Sequence, residues 1–75
     1  MNNGATVALN NHLQSTDRLA ALVWAESTSG PAHAPVWTVV CKIDNVEMGS
    51  GTGAQKHVAK DAAAAQALRA LGVWP

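Results

Sequence analysis

Gly51-Thr52-Gly53-Ala54-Gln55-Lys56-His57-Val58-Ala59-Lys60-Asp61-Ala62-Ala63 is the stretch on which the fold turns. Two glycines one residue apart are expected to end a sheet and open a helix. From Ala54 to Leu71 the residues are mostly strong helix formers, and Gly72 supplies the stop. Val58, Ala62, Ala65 and Leu68 are expected to form one apolar stripe of this helix, with Leu71 beside it. Small alanines let a helix lie close against a sheet, which suits a small domain with three tryptophans to bury.

Upstream, Val36 to Ile43 reads as the clearest strand. Trp37, Val39, Cys41 and Ile43 recur on one face, while Thr38 and Lys42 mark the other. Asp44-Asn45 is turn chemistry, and Val46 to Gly49 is expected to pair back as a short strand with Val46 and Met48 on one side. Leu19 to Glu26 is apolar on both faces, so periodicity alone leaves helix and strand open. The Ser27-Thr28-Ser29-Gly30-Pro31 run after it is a loop signal and favours a strand leading into a turn. Val7 to Ser15 reads as a first helix, with Ala5, Val7, Ala8, Leu9 and Leu13 apolar, Asn10, Asn11 and Gln14 polar, and Thr6 as its N-cap. The order is helix, three antiparallel strands, helix. This gives an α+β sandwich with both helices on one face of the sheet. Residues 5–72 are expected to form one domain, after a lead-in over 1–4 and before a tail over 73–75.

Seventy-five residues leave room for one domain with a modest core. Hydrophobic residues make up 48% of the chain, which argues against disorder, yet much of that share is alanine, so the core must be shallow. The single Cys41 has no disulfide partner within the chain and points to a reducing, intracellular setting. The apolar run Ala62 to Ala65 is far too short for a membrane span. Asp17, Glu26, Asp44, Glu47 and Asp61 show no pairing suited to acid–base chemistry. His12, His33, His57 and Cys41 fall on separate elements without metal-ligand spacing. No catalytic residue, metal, cofactor or small-molecule substrate is therefore expected. The net charge is zero, so any claim of nucleic-acid binding must rest on where the few cations sit.

Three local patterns in this order resemble the double-stranded-RNA-binding domain family over about residues 5 to 72. Leu9-Asn10-Asn11-His12-Leu13-Gln14 is similar to the family's first-helix pattern of Leu-Asn-Glu-aromatic-x-Gln. Gly30-Pro31-Ala32-His33, followed by Trp37, is similar to its Gly-Pro-x-His loop and the aromatic opening the second strand. Gly51 to Lys60, followed by Ala62-Ala63, is similar to its Gly-x-Gly-x-Ser-Lys-Lys-x-Ala-Lys-x-x-Ala-Ala run.

The resemblance implies binding to duplex RNA by shape with little sequence preference. A-form RNA displays 2′-hydroxyls in a shallow minor groove, and such a module spans about 16 base pairs across two minor grooves and the major groove between them. Lys56 and Lys60, four apart on one helix face about 6 Å from each other, suit phosphates near a helix N-terminus. By resemblance His33, with backbone groups of Pro31 and Ala32, meets a 2′-hydroxyl in one minor groove. Asn10 and Asn11 offer amides to the other. Gln55 and Thr6 are further contact residues.

Two departures lower the expected grip. His57 stands where the family has its middle lysine, which makes the third cation titratable and binding stronger as pH falls from about 7.5 to 6. Asn11 replaces a glutamate and is shorter. The alternative is a protein-interaction or dimerisation module of the same fold, favoured by zero net charge and the Val73-Trp74-Pro75 tail. Either way the chain is expected to be no enzyme itself, although it suits the binding arm of an RNA-processing one.

Overall fold

The computed structural model describes residues 4–18 and 21–74. The elements are α1 (Gly4–Ser15), β1 (Leu22–Ser29), β2 (Val36–Ile43), β3 (Val46–Gly53) and α2 (Lys56–Ala70). The three strands form one antiparallel sheet in the order β1-β2-β3, and both helices lie on one face of it. The α+β order and layering expected from the sequence are therefore present.

The core is built from three periodicities that meet. α1 contributes Ala5, Leu9 and Leu13 at four-residue spacing, and β2 contributes Val39, Cys41 and Ile43 at two-residue spacing. α2 contributes Ala59, Ala63 and Ala67, with Ala64 and Leu68 beside them. Burial pushes the Cys41 thiol up to about 11, because the thiolate loses its water there.

The seam between β3 and α2 explains why the strand expected to stop at Gly49 runs on through the Gly-x-Gly stretch and ends at Gly53. Gly51 and Gly53 lie within β3 and continue a ladder begun by Gly49. A Cβ on Gly49 would stand 2.4 Å from the Ala63 carbonyl oxygen, and one on Gly51 would stand 2.4 Å from that of Ala59. The helix backbone thus rests directly on the strand backbone, which only glycine permits. The same contact turns α2 so that Ala59, Ala63 and Ala67 face the sheet. Val58 and Ala62, expected in the buried stripe, are exposed, and Ala65 is half-buried.

Other boundaries also shift. α1 starts at Gly4, so Thr6 is an interior helical residue, not the cap; its N–H and hydroxyl both donate to Asp61 Oδ1 of α2, at 3.0 and 3.3 Å. Val7, expected in the α1 stripe, faces outward. Ser27, Thr28 and Ser29 belong to β1, paired with Thr38, Trp37 and Val36, because an edge strand tolerates polar residues on its exposed side. A bulge between the Cys41–Gly49 and Lys42–Glu47 pairs breaks the expected alternation in β3, so Met48 packs on the core while Val46 stays exposed. Asp44 and Asn45 both take left-handed φ values, 54° and 65°, the conformation of a tight two-residue hairpin.

Gly72, with φ 78°, closes α2: Gly72 N–H donates to Arg69 and Val73 N–H to Leu68. Residues 1–3 of the expected lead-in, Leu19 of the expected first strand, Ala20 and Pro75 of the tail lie outside the described residues.

Candidate nucleic-acid interface

Strand register decides which predicted contact residues come together. Trp37 pairs with Gly53 on one side and Thr28 on the other. The β1–β2 loop carrying His33 and the start of α2 carrying Lys56 therefore leave the same end of the sheet. The opposite end holds the Asp44–Asn45 turn, where Arg18, just after α1, forms an exposed ion pair with Asp44. Near the start of both helices, Thr6 of α1 touches Asp61 in the second turn of α2.

Because α2 is drawn onto β3, the helix-facing side of β1 and β2 is left for larger side chains. Trp24, opposite the buried Cys41, and Trp37, two residues before the buried Val39, occupy it and are half-buried. The lysines of α2 reach down over them. Lys56 Nζ lies 5.2 Å from the centre of the Trp37 ring and Lys60 Nζ 5.0 Å from that of Trp24, both within cation–π range. Lys56 also stands 3.6 Å from Glu26 Oε1, with its side chain about half exposed. Of the three tryptophans expected to be buried, Trp24 and Trp37 thus pack on the edge of the core with their rings under the two cations, and Trp74 is exposed.

The remaining predicted residues surround this pair unevenly. Gln55 precedes α2 with extended backbone, its carbonyl accepts from Val58 and Ala59 N–H, and its exposed side chain makes no cap hydrogen bond. His57 is exposed. Pro31, Ala32 and His33 are exposed in a loop closed by Ala34 N–H donating to Pro31, 3.0 Å, with Gly30 at φ 89° making the bend. On α1, Asn11 points to solvent, whereas Asn10 is half-buried one turn along the flank on which Thr6 meets α2. Thr6 spends its hydroxyl on Asp61. Lys56, His57 and the His33 loop thus lie at one end of the sheet, while Lys60 stands one helical turn on, over Trp24, whose partner Cys41 is two residues from the Ile43 end of β2.

Sequence reasoning placed Trp37 on the inward face of β2 but missed that Trp37, Trp24 and Glu26 lie against the two lysines. Leu19 to Glu26 is apolar on both faces in sequence, and only the pairing of Trp24 with Cys41 and of Glu26 with Val39 tells which side of β1 faces the helices. Among the described residues, no group of three or more acidic, His or Cys side chains is placed to hold a metal, and no helix is long and apolar enough to cross a membrane.

Comparison with known proteins points the same way. The family described as "Double-stranded RNA binding motif" matches residues 23–71. A protein named Ribonuclease 3 from Streptococcus thermophilus is 37% identical over 65 residues, covering 87% of this chain and 28% of that protein. Another Ribonuclease 3, from Hahella chejuensis, is 48% identical over 48 residues, covering 63% of this chain and 21% of that protein. The chain thus spans about a quarter of the length of these relatives.

Proposed function

The chain belongs to the double-stranded RNA binding motif family, and from that premise we propose that it grips duplex RNA by shape along the surface just described. Lys56, Lys60 and His57 meet phosphates across the major groove. The loop of Pro31, Ala32 and His33 enters one minor groove, and Asn10 and Asn11 of α1 approach the next. Gln55 lies at the phosphate end of this surface. Thr6, already bonded to Asp61, orients α1 against α2 in this reading and does not reach the RNA.

The observation that carries the proposal is that the His33 loop and Lys56 share one sheet end, with Lys60 one helical turn farther along the same tryptophan-floored face. Two cations one helical turn apart, the first beside a projecting loop, suit a repeating, wide-grooved duplex. Few cations imply a shallow salt dependence, with a log–log slope of roughly −2 to −3 for two or three neutralised phosphates.

The test is a titration of this chain against RNA duplexes of about 20 base pairs, in competition with DNA duplexes of the same length. Duplex RNA should win clearly, because DNA lacks the 2′-hydroxyls; equal affinity for the two would falsify shape readout. Lys56→Ala with Lys60→Ala should abolish binding while the far-ultraviolet circular dichroism is kept.

The similarity to a part of two ribonucleases supports a further proposal: the chain is the RNA-holding arm of a longer, intracellular RNA-processing enzyme. A second reading, a protein-interaction or dimerisation module, draws on zero net charge and on the exposed Val73 and Trp74 after α2. Sedimentation without RNA discriminates, since that reading requires self-association or a protein partner and a salt slope near zero.

A further inference from the structure

We propose that Glu26 is an internal competitor for the phosphate site at Lys56, so that the domain's affinity for RNA is set by displacement of its own carboxylate. The inference rests on the reading that Lys56 binds phosphate. Glu26 lies on the helix-facing side of β1, opposite the buried Val39, and its Oε1 stands 3.6 Å from Lys56 Nζ. The same ammonium lies 5.2 Å from the Trp37 ring centre. Lys56 is therefore held between an anion and an aromatic face, whereas Lys60, over Trp24, has the aromatic face without a neighbouring carboxylate among its described contacts.

A phosphate arriving at Lys56 must take the place of Glu26 at the ammonium, and the freed carboxylate then sits beside a phosphate of like charge. Both steps subtract from binding. An exposed pair of this kind is weak, so the subtraction is small: displacement is possible, and the site is attenuated without being closed. Internal neutralisation also means that Lys56 presents less than a full charge to the duplex, which flattens the salt dependence. The two lysines are thus unequal. Lys60 is the open cation and Lys56 the regulated one.

The experiment compares the unaltered chain, Glu26→Gln, Lys56→Ala and the double variant for binding to a 20-base-pair RNA duplex at several salt concentrations, with thermal melts of each. Glutamine keeps the shape of the side chain on an exposed strand, and removal of an exposed ion pair should leave the melting temperature nearly unchanged. Glu26→Gln should tighten binding about two- to five-fold at low salt and steepen the log–log salt slope by up to about one. In the Lys56→Ala background the same substitution should add nothing.

An unchanged affinity in Glu26→Gln, while Lys56→Ala still weakens binding, overturns the competitor role and leaves the phosphate reading intact. A gain that persists with Lys56→Ala also overturns it, because the benefit would then come from general loss of negative charge. Absence of any effect of Lys56→Ala and Lys60→Ala together would sink the reading on which the inference rests, and the inference with it.

Discussion

The two halves of the helix-facing surface are built on opposite principles. Along β3, Gly49 and Gly51 bring strand backbone against the backbone of α2 at Ala59, Ala63 and Ala67, and Gly53 makes room for the Val58 side chain. Along β1 and the start of β2, Trp24 and Trp37 hold the space open, and flexible lysines lie over them. The first region cannot move without loss of the fold. The second can exchange its polar partners, and that freedom suits a surface which must bind and release. Crowding on one side creates the platform on the other, because α2 is drawn fully onto β3.

Gly51→Ala should break the rigid region most severely. Its Cβ would stand 2.4 Å from the Ala59 carbonyl oxygen and 2.7 Å from the Ala63 amide nitrogen, both backbone atoms that no rotamer change can move. Overpacking typically costs about 1–3 kcal/mol when side chains can adjust, and here the cost should reach or pass the upper end. A small single core rarely has more than about 3–5 kcal/mol to lose. Circular dichroism at 25 °C should show a largely unfolded chain; a melting temperature within a few degrees of the unaltered protein would mean the seam is far more pliant than its geometry.

Cys41 marks the boundary, paired with Gly49 on the rigid side and Trp24 on the open side. Its thiol pKa is raised from 9.0 to about 11 by burial, so between those values the native state keeps a proton that the unfolded chain gives up. The unfolded state then binds fewer protons, and stability falls as pH rises through this window. Two pKa units correspond to about 2–3 kcal/mol lost by pH 11. Urea melts from pH 8 to pH 11 should show the decline. Cys41→Ala should be less stable at pH 8 but flatter across the window, which assigns the decline to the thiol.

Trp37→Leu should cost less, about 1–2 kcal/mol, because the ring is half-buried and leucine retains part of its apolar contact. Chemical denaturation measures that loss. A cost equal to that of Gly51→Ala would erase the distinction between the two regions.

How much of this was legible follows the same division. Hydrophobic alternation and turn chemistry placed β2 at Val36–Ile43 and the Asp44–Asn45 hairpin, because local pattern alone determines them. Gly51 and Gly53 were read as the end of the sheet, since a glycine that allows close approach looks in sequence like one that ends an element. The rotation of α2 was misread for a related reason: alanines appear around much of the helix, and only contact with β3 selects Ala59, Ala63 and Ala67. Lys56 and Lys60 were recognised as a pair from their spacing, but their footing on Trp37 and Trp24 and the presence of Glu26 depend on pairing between strands distant in sequence.

The finest separation of fold from function comes from Lys60→Met. Methionine keeps an unbranched, polarizable chain that can lie over Trp24, so the platform stays covered while the ammonium is removed. A cation–π contact at a partly exposed site contributes about 0.5–1 kcal/mol, and part of that is returned by apolar contact of the new side chain with the ring. Melting temperature should therefore shift by only a few degrees. Binding to duplex RNA should weaken several-fold at low salt, and the log–log salt slope should become shallower by up to about one, as expected for a single lost phosphate contact. Unchanged affinity and slope would show that the cation on the second platform serves the fold alone. A large drop in melting temperature would show the reverse of the proposed division, with Lys60 holding the tryptophan side together as firmly as glycine and alanine hold the other.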